Sequence, residues 1–504
     1  MVEKYQTLKI LLFKIILFFS WLSADIGHLN YIYEGQAFDK PVRVIIKTPG
    51  VVPGLADIIV KSFDQEIDQI LVTPIVWKES NNWNPSGQGP QVAPPPDIMI
   101  PIKGEQNTYQ AELWLMDFGA YNIQVEFFDN GKSEIINIPV NSIANQIIPM
   151  TQTTSIILFL LMLLLIAGLS NIITIGYRES TLNSISDLDN LRIKKSYLVQ
   201  FFSLILICFV LYFGNNWWAV TEQAFMKNLF QPIENQVNLV KNNQQTILQI
   251  KITDEAWIDG RIADFIPDHG KIMHLYLVNE NYQQLCHLHP KRNSNDNSLF
   301  EVAIPPIEYG KYYIFIDVTL ESGSNQTLKN IIEYYPENIL NQNKQYFLEI
   351  DGDDSFIKEN PSYYFKWINS SENYYTSNEI NLNFQMFDMN NNPVILEPYI
   401  QMGGHGAIID STGNVFIHIH PIGTISMASQ ELYDKEYDLQ KSGICYFGLP
   451  DTTIKNYTKD SFINSFLSFP PIIIDKPGKY FMWIQGKSNN EIITEKFEFN
   501  IMNE

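Results

Sequence analysis

The chain has 504 residues, and 13% of them are aromatic. This length exceeds what one hydrophobic core supports, so we expect about three or four domains, and the aromatic content favours β-rich ones. The formal net charge of −21 argues against binding to DNA or RNA, because an acidic surface repels a phosphate backbone.

Residues 1–24 have the pattern of a secretory signal peptide. A basic start is followed by an apolar stretch and by small residues next to the predicted cleavage site. Lys14 interrupts the apolar stretch, so an uncleaved membrane anchor is the alternative.

Residues 25–150 predict an exported β-sandwich of the immunoglobulin-like type. Apolar runs alternate with Pro-Gly turns, and Asp129-Asn130-Gly131 is typical of a hairpin loop. The one histidine of this region, His28, is interpreted as an ordinary surface residue.

Two apolar segments, 151–178 and 196–220, are long enough to cross a bilayer. Arg178 ends the first segment, and Arg192, Lys194 and Lys195 in the loop 179–195 precede the second. Basic residues beside both segments are typical of the cytoplasmic side. We therefore expect anchoring in the cytoplasmic membrane, with both large soluble regions on the periplasmic or extracellular side. Residues 221–245 predict a linker helix that leaves the membrane.

The C-terminal half contains a tandem repeat. The stretches "HLYLVNENYQQLCHLHP" and "HGAIIDSTGNVFIHIHP" share the same histidine and proline positions, and a Gly-Lys-Tyr strand follows each. We predict two duplicated β domains, 246–336 and 375–504, joined by a linker at 337–374. Within that linker, "DGDDS" at 351–355 is interpreted as a solvated turn, with a calcium loop as the alternative.

The histidine spacing predicts a shared patch in each copy. Side chains two residues apart on a strand point to the same face. In the second copy a two-residue Thr-Gly loop would place His405 opposite His420, with His418 on the adjacent diagonal. The same spacing in the first copy would gather His274, His287 and His289.

Three clustered neutral imidazoles are a common site for copper or zinc, and copper is the preferred prediction here. The predicted ligands are His274, His287, His289, His405, His418 and His420. Further candidate ligands are His269 beside the first cluster and Met402 and Met427 beside the second. The alternative is a structural polar network in which the histidines hold the hairpins together. Cys286 points to the opposite face of its strand and is interpreted as a core residue.

Three stretches resemble a family of bacterial membrane-anchored proteins of largely unassigned function. They are "GHLNYIYEGQAF…TPGVVPGLADI", "DHGKIMHLYLV…CHLHP" and "GGHGAIIDSTGNVFIHIHPIGTISM". The HLHP modules resemble the YtkA-like group of periplasmic β domains, which is associated with copper handling. The resemblance implies immunoglobulin-like or cupredoxin-like sandwiches, and it makes the six predicted histidine ligands the positions to test.

These features predict a mainly β protein with a signal peptide and two transmembrane helices. Its expected function is copper storage, sensing or delivery, and its expected partners are the metal ion, the membrane and another membrane or periplasmic protein. The alternative is a non-catalytic scaffold of immunoglobulin-like domains. An enzyme is not expected, because the GxSxG, HExxH, P-loop and GxGxxG motifs are absent from the sequence. A copper or zinc oxidase or hydrolase is the third hypothesis.

Overall fold

The computed structural model describes most of the chain from residue 30 onwards. The described residues are 30–63, 67–76, 94–145, 147, 150–180, 190–227, 229–242, 245–342, 348–358, 360–376, 378–433 and 465–503. The predicted signal peptide and His28 lie outside the described residues. The described residues form two units, one built of strands on both sides of residues 144–230, and one within 144–230 that is helical.

The first part of the strand unit is an N-terminal β-sandwich. Its two sheets have the strand orders β1-β2-β3-β7-β6 and β5-β4-β8-β9. The strands alternate buried apolar and more exposed residues, so each sheet contributes one face to a shared core. They are β1 (Asn30–Ala37), β2 (Lys40–Lys47), β3 (Gly54–Ser62), β4 (Gln69–Val76), β5 (Asp97–Ile98), β6 (Ile100–Pro101), β7 (Thr108–Leu115), β8 (Gly119–Asp129) and β9 (Lys132–Ser142).

The predicted hairpin at Asp129-Asn130-Gly131 joins β8 to β9. Asp129 pairs with Lys132, and Asn130 and Gly131 both have positive φ, at 50° and 74°. Two consecutive positive φ angles define the type I′ turn, whose twist matches that of the strands.

The helical unit consists of α1 (Gln152–Glu179) and α2 (Asn190–Lys227). Both helices are long and apolar enough to cross a membrane. Their large apolar side chains are exposed, whereas Ser170 and Ser203 are buried with their hydroxyl oxygens 3.2 Å apart. Small polar residues therefore mark the contact between the helices, as is common in membrane bundles. The second helix is longer than the predicted segment 196–220, because it also includes parts of the predicted loop and linker helix.

A second β-sandwich follows the helices. Its sheets have the orders β15-β16-β11-β10-β19 and β12-β17-β13-β14-β20, with β18 also paired to β17. The elements are β10 (Asn235–Asn242), β11 (Gln245–Ile252), α3 (Glu255–Ile258), β12 (Phe265–Ile266), β13 (His274–Asn279), β14 (Leu285–Leu288), β15 (Lys291–Arg292), β16 (Leu299–Ile304), β17 (Gly310–Leu320), β18 (Asn325–Tyr334), a short 3₁₀ turn (Pro336–Asn338), β19 (Leu340–Gln342) and β20 (Ser355–Phe356).

A third β-sandwich completes the strand unit. Its sheets have the orders β21-β23-β26 and β22-β28-β27-β24-β25. The elements are β21 (Tyr363–Trp367), β22 (Asn373–Tyr375), β23 (Ile380–Asp388), β24 (His405–Asp410), β25 (Phe416–Ile419), α4 (Met427–Tyr433), β26 (Phe466–Ile472), β27 (Gly478–Ser488) and β28 (Glu491–Met502).

The boundaries of these sandwiches differ from the predicted ones. Strand β10 begins inside the predicted linker helix 221–245, and the predicted linker 337–374 contains β19 and β20 of the second sandwich and β21 and part of β22 of the third. These strands are short or polar, so they lack the apolar alternation from which strands are inferred.

The second and third sandwiches have equivalent hairpins. Strands β13 and β14 have the same lengths and spacing as β24 and β25. The turn at Asp268–Lys271 before β13 has its equivalent at Tyr399–Met402, and each turn is closed by two backbone hydrogen bonds between its end residues. Both turns have two central residues with positive φ, so the duplication extends to unusual backbone conformations.

The two duplicated sandwiches pack against each other through these equivalent sheets. On β13, Leu275 and Leu277 point into the core of the second sandwich, while Tyr276 and Val278 point the other way. These outward residues join an apolar cluster between the two sandwiches, which we call the interface cluster. Its buried members are Tyr276, Val278, Tyr282, Leu285, Phe315, Ala407, Ile409, Phe416, Phe481 and Trp483.

Candidate metal centre

The histidines of β13 and β14 lie on the face that meets the third sandwich. Cys286 and Leu288 alternate with His287 and belong to the core on the opposite face, as the sequence predicts for Cys286. Tyr276 pairs with His287 across the hairpin, and the same register places His274 opposite His289. The rings of His274 and His289 are 5.1 Å apart.

The second hairpin has the same arrangement. Ala407 pairs with His418, so the register sets His405 opposite His420, as the Thr-Gly loop predicts. The ring centroids of His405 and His420 are 4.9 Å apart. Because the two sheets face each other, both hairpins direct their histidines into one space.

Seven buried histidines therefore form a single cluster between the two sandwiches, which we call the seven-histidine centre. Two groups of three ring nitrogens lie within 4.8 Å of one another inside it. The first group has the predicted membership, whereas the second takes His269 from the other copy in place of the predicted His418. The groups are His274, His287 and His289, and His269, His405 and His420.

His269 reaches the second group from the Asp268–Lys271 turn. His269 and Gly270 both have positive φ, at 51° and 76°, and the ring of His269 is 6.1 Å from that of His274 on its own hairpin. The ring lies 4.9 Å from that of His420 and 5.7 Å from that of His405. The equivalent position in the third sandwich is Ile400, so the duplication is asymmetric here.

His418 lies beside both groups and is held by the other sandwich. Its Nδ1 is 2.9 Å from Oδ2 of Asp317 on β17, and its ring is 4.3 Å from His420 and 5.6 Å from His274. A carboxylate oxygen accepts, so Nδ1 carries the proton and Nε2 is left with its lone pair.

The equivalent histidine of the first hairpin is held in the reciprocal way. Nδ1 of His287 donates to Oε1 of Gln485 at 2.8 Å, and Gln485 lies on β27, the counterpart of β17. Asp317 and Gln485 each also contact a threonine on the next strand, Thr327 and Thr494. Each sandwich thus orients the middle histidine of its partner.

His289 is oriented by an aspartate that the sequence analysis missed. Nδ1 and the backbone N–H of His289 both donate to Oδ1 of Asp354, at 2.7 and 2.9 Å. Asp354 belongs to the "DGDDS" stretch, and its side chain is fully buried. The prediction of a solvated turn is therefore wrong for this residue, because β20 draws the stretch against β14. Asp351 of the same stretch pairs with Lys271 at 2.8 Å.

The hydrogen bonds fix where the lone pairs of the first group point. Nε2 of His274 donates to the backbone carbonyl of Asp268 at 3.2 Å, so its Nδ1 has the lone pair. This Nδ1 lies 3.2 Å from Nε2 of His287, which also has a lone pair because Nδ1 of His287 donates to Gln485. Two lone pairs therefore face each other at a separation that suits two ligands of one tetrahedral ion, about 3.3 Å for bonds near 2.0–2.1 Å.

Several other ring nitrogens of the centre are buried without a partner. Within the described residues, no hydrogen bond reaches Nε2 of His289, Nε2 of His418 or either nitrogen of His405. Native proteins satisfy almost all buried polar atoms, so a group of unsatisfied ones calls for an explanation.

Burial keeps five of the imidazoles neutral. The pKa values of His274, His287, His405 and His420 fall well below 6.5, first because burial disfavours the charged form and then because neighbouring histidines repel a second charge. Burial also lowers the pKa of His269, although Asp268 opposes the shift. Neutral imidazoles keep the lone pair that a metal requires.

The remaining candidates lie outside these two groups. Met402 and Met427 pack with Ile422 in a small buried apolar cluster. Cys286 is buried among apolar residues, and this burial raises the pKa of its thiol to about 12, which suits a structural cysteine.

A polar cleft leads to one side of the centre. It reaches His274, His418 and His420, and its other walls include Asp268, Asp317, Lys271, Thr319, Thr327 and Ser426. The cleft therefore borders histidines of both hairpins.

A family model described as a domain of unknown function, DUF8832, matches residues 233–334. These residues include β10 to β18 and the first histidine hairpin, so the match identifies the second sandwich as a recurring domain. No curated protein matches the sequence. The similarity to the YtkA-like group remains a prediction.

Several solved structures are similar over most of the chain, at low scores. Latent PorU from Porphyromonas gingivalis has 8% identity and a TM-score of 0.15, with 94% of this chain and 34% of that chain covered. A protein from Corynebacterium diphtheriae, provisionally described as membrane anchored, has 7% identity and a TM-score of 0.16, with coverage of 94% and 95%. Escherichia coli alpha-2-macroglobulin has 8% identity and a TM-score of 0.17, with coverage of 94% and 25%. Scores at this level carry no argument about function. The chain spans about a third of the length of the PorU chain.

Proposed function

We propose that this chain is a membrane-anchored protein that binds copper at the seven-histidine centre, for storage, sensing or delivery. One observation supports this above all: Nδ1 of His274 and Nε2 of His287 are 3.2 Å apart, and the hydrogen bonds of the two rings to Asp268 and Gln485 assign a lone pair to each of these nitrogens. Without a cation these lone pairs repel each other, and burial disfavours a second proton on either ring. A metal ion bound to both nitrogens removes the conflict.

A purely structural network explains these contacts less well. A buried polar atom left without a partner costs about 1–3 kcal/mol, and a network that only joins two domains would pair its nitrogens. In the centre, by contrast, Nδ1 of His418, His289 and His287 is paired with Asp317, Asp354 and Gln485. The opposite nitrogen of His287 lies 3.2 Å from His274, and those of His289 and His418 have no partner among the described residues, which is the arrangement of metal ligands held by surrounding hydrogen bonds.

The donor set favours copper with zinc as the second choice. Imidazole nitrogens suit both ions, and the affinity of divalent ions for such ligands is higher for copper. The three histidines of a group would be the ligands of a bound ion, and the aspartates would orient their rings.

The two apolar helices supply the proposed membrane anchor. The basic residues beside them place the intervening loop on the cytoplasmic side in this proposal, so the sandwiches would meet metal in a periplasmic or extracellular space. We assign the centre a binding role and not an enzymatic one, and delivery would involve another membrane or periplasmic protein.

The proposal is tested with the full chain purified in detergent and stripped with a chelator. Cu(I), Cu(II) and Zn(II) are titrated separately, and bound metal is measured after desalting. We expect the chain to bind copper stoichiometrically and to retain it in the presence of a weak competing chelator. The double variant His287→Ala with His405→Ala, which removes one ligand from each group, should not retain the copper.

His28→Ala is the matched control, because His28 is the eighth histidine of the sequence and is not among the seven that define the centre, and it should bind as the unchanged chain does. Absence of stoichiometric copper in the unchanged chain contradicts the proposal. A lower melting temperature in the double variant, with no dependence on metal in either protein, would support the scaffold alternative.

A further inference from the structure

We infer that the seven-histidine centre holds two metal ions together, one in each group of three histidines, as a single dinuclear centre. This inference rests on the proposed function, since it requires that the histidines bind metal. It goes further by specifying the number of ions, their ligands and their proximity.

Each group has the ligands for one ion of its own. The ring nitrogens within a group lie within 4.8 Å of one another. Two nitrogens bound to one ion at about 2.1 Å each are at most about 4.2 Å apart, so small ring rotations complete each site. No histidine is shared between the groups, and binding at one leaves the other with three ligands.

The two groups are neighbours with no layer of protein between them. The rings of His287 and His405, which belong to different groups, are 5.9 Å apart. Those of His274 and His405 are 6.4 Å apart. Rings within one group are separated by similar distances, for example 5.7 Å between His269 and His405. Two bound ions would therefore share one cavity.

His418 supplies a seventh ligand beside both groups. Its Nε2 is buried without a partner, and its ring contacts His420 of one group and His274 of the other. The cleft reaches the same three rings. The seventh histidine and the cleft thus give the centre additional coordination positions beyond the two groups.

The charges around the centre also favour more than one cation. Three aspartates lie beside the seven rings: Asp268 is 3.6 Å from His269, Asp317 is 2.9 Å from His418 and Asp354 is 2.7 Å from His289. The nearby cation Lys271 is paired with Asp351 and Asp353. Several carboxylates beside neutral ligands stabilise a total positive charge larger than that of one ion.

The test counts ions and measures their coupling. The chelator-stripped full chain in detergent is loaded with copper(II) chloride and desalted, and copper per chain is measured by elemental analysis and by electron paramagnetic resonance. We expect about two ions per chain, with a resonance spectrum broadened by the magnetic coupling between the two neighbouring Cu(II) ions.

Single variants distinguish the copper bound by one group from the copper bound by the other. His287→Ala and His405→Ala should each retain about one ion, and the resonance spectrum should then show no broadening by coupling. His287→Gln and His405→Gln repeat the test with smaller packing changes, and circular dichroism and size-exclusion chromatography check folding. His28→Ala should behave as the unchanged chain.

Each contrary outcome has a distinct meaning. One ion in the unchanged chain overturns the dinuclear inference but leaves the proposed function intact. Two ions whose spectrum shows no broadening by coupling are in separate mononuclear sites, which also overturns it. No bound copper contradicts the proposed function itself.

Discussion

Asp354 holds the ring of His289 by accepting hydrogen bonds from both its Nδ1 and its backbone N–H. Asp317 contacts His418 from across the interface, and its other oxygen accepts from Thr327. A carboxylate on Nδ1 fixes the tautomer, aims Nε2 and raises the basicity of that nitrogen. At the scale of single residues, these aspartates therefore decide which nitrogens face the centre.

The first prediction concerns Asp354. Asp354→Asn keeps the size of the side chain but removes its charge, so Nε2 of His289 becomes a weaker and less well oriented ligand. We expect copper affinity at the first group to fall by about 10- to 100-fold, with little change in fold. Titration against a competing chelator of known affinity measures this change.

Asp353→Asn is the matched control for that substitution. Asp353 is the preceding residue, its side chain is 40% exposed, and it contacts Lys271 at 3.4 Å. Its substitution should leave copper affinity unchanged. Equal affinities for the two variants would contradict the assigned role of Asp354.

At the scale of elements, the sequence predicts the histidine hairpins well. Side chains alternate between the two faces of a strand, which places His287 and His289 on one face, and the loop length sets the register of each hairpin. Both are local properties that a short stretch encodes. The pairing of the two hairpins with each other is not local, because His287 and its partner Gln485 are 198 residues apart.

The same reason explains which residues of the centre could not be assigned from the sequence. His269 joins His405 and His420 only because the two sandwiches face each other, and Ile400 at the equivalent position offers no ligand. Asp354 lies in a polar stretch that has the composition of a solvated turn. Its burial follows from the pairing of β20 with β14, which no local pattern of two-residue strands indicates.

The second prediction concerns the spacing of β24 and β25. A Cβ added to Gly406 would lie 2.6 Å from Cγ1 of Ile419 and 3.3 Å from Cδ1 of Ile484, so Gly406→Ala must push the strands or their core residues apart. We expect a loss of about 1–3 kcal/mol in the free energy of unfolding. Copper bound by the second group should fall more than copper bound by the first.

Gly310→Ala tests whether that effect is specific. An added Cβ at Gly310, the first residue of β17, meets no atom within 4 Å. This variant should keep both its melting temperature and its copper content. If Gly406→Ala also keeps both, the close approach of β24 and β25 does not control the second group.

At the scale of the whole molecule, the centre belongs to the interface between two duplicated domains. The interface cluster joins the outward faces of β13, β14, β17, β24, β25 and β27 beside the histidines. Contacts across it are reciprocal, with Asp317 on His418 and Gln485 on His287, as at a symmetric dimer interface. Metal binding and domain pairing should therefore support each other by mass action.

The third prediction concerns the metal-free protein in acid. The folded pKa values of His274, His287, His405 and His420 lie well below the ordinary 6.5. Below that pH the unfolded chain therefore binds more protons than the folded chain. Their contribution to stability is fully present above about pH 6.5 and is lost as the pH falls below it. We expect the melting temperature of the chelator-treated protein to drop between pH 7 and pH 5.

The origin of this acid sensitivity can be assigned by substitution and by metal. His287→Gln removes one of these groups, so its melting temperature should fall less steeply with decreasing pH, whereas His28→Ala should follow the unchanged chain. Bound copper competes with protons for the same lone pairs and should shift the acid transition to lower pH. A metal-free melting temperature that is level from pH 7 to pH 5 would mean that protons reach these rings without cost, which is incompatible with the lowered pKa values of these four buried histidines.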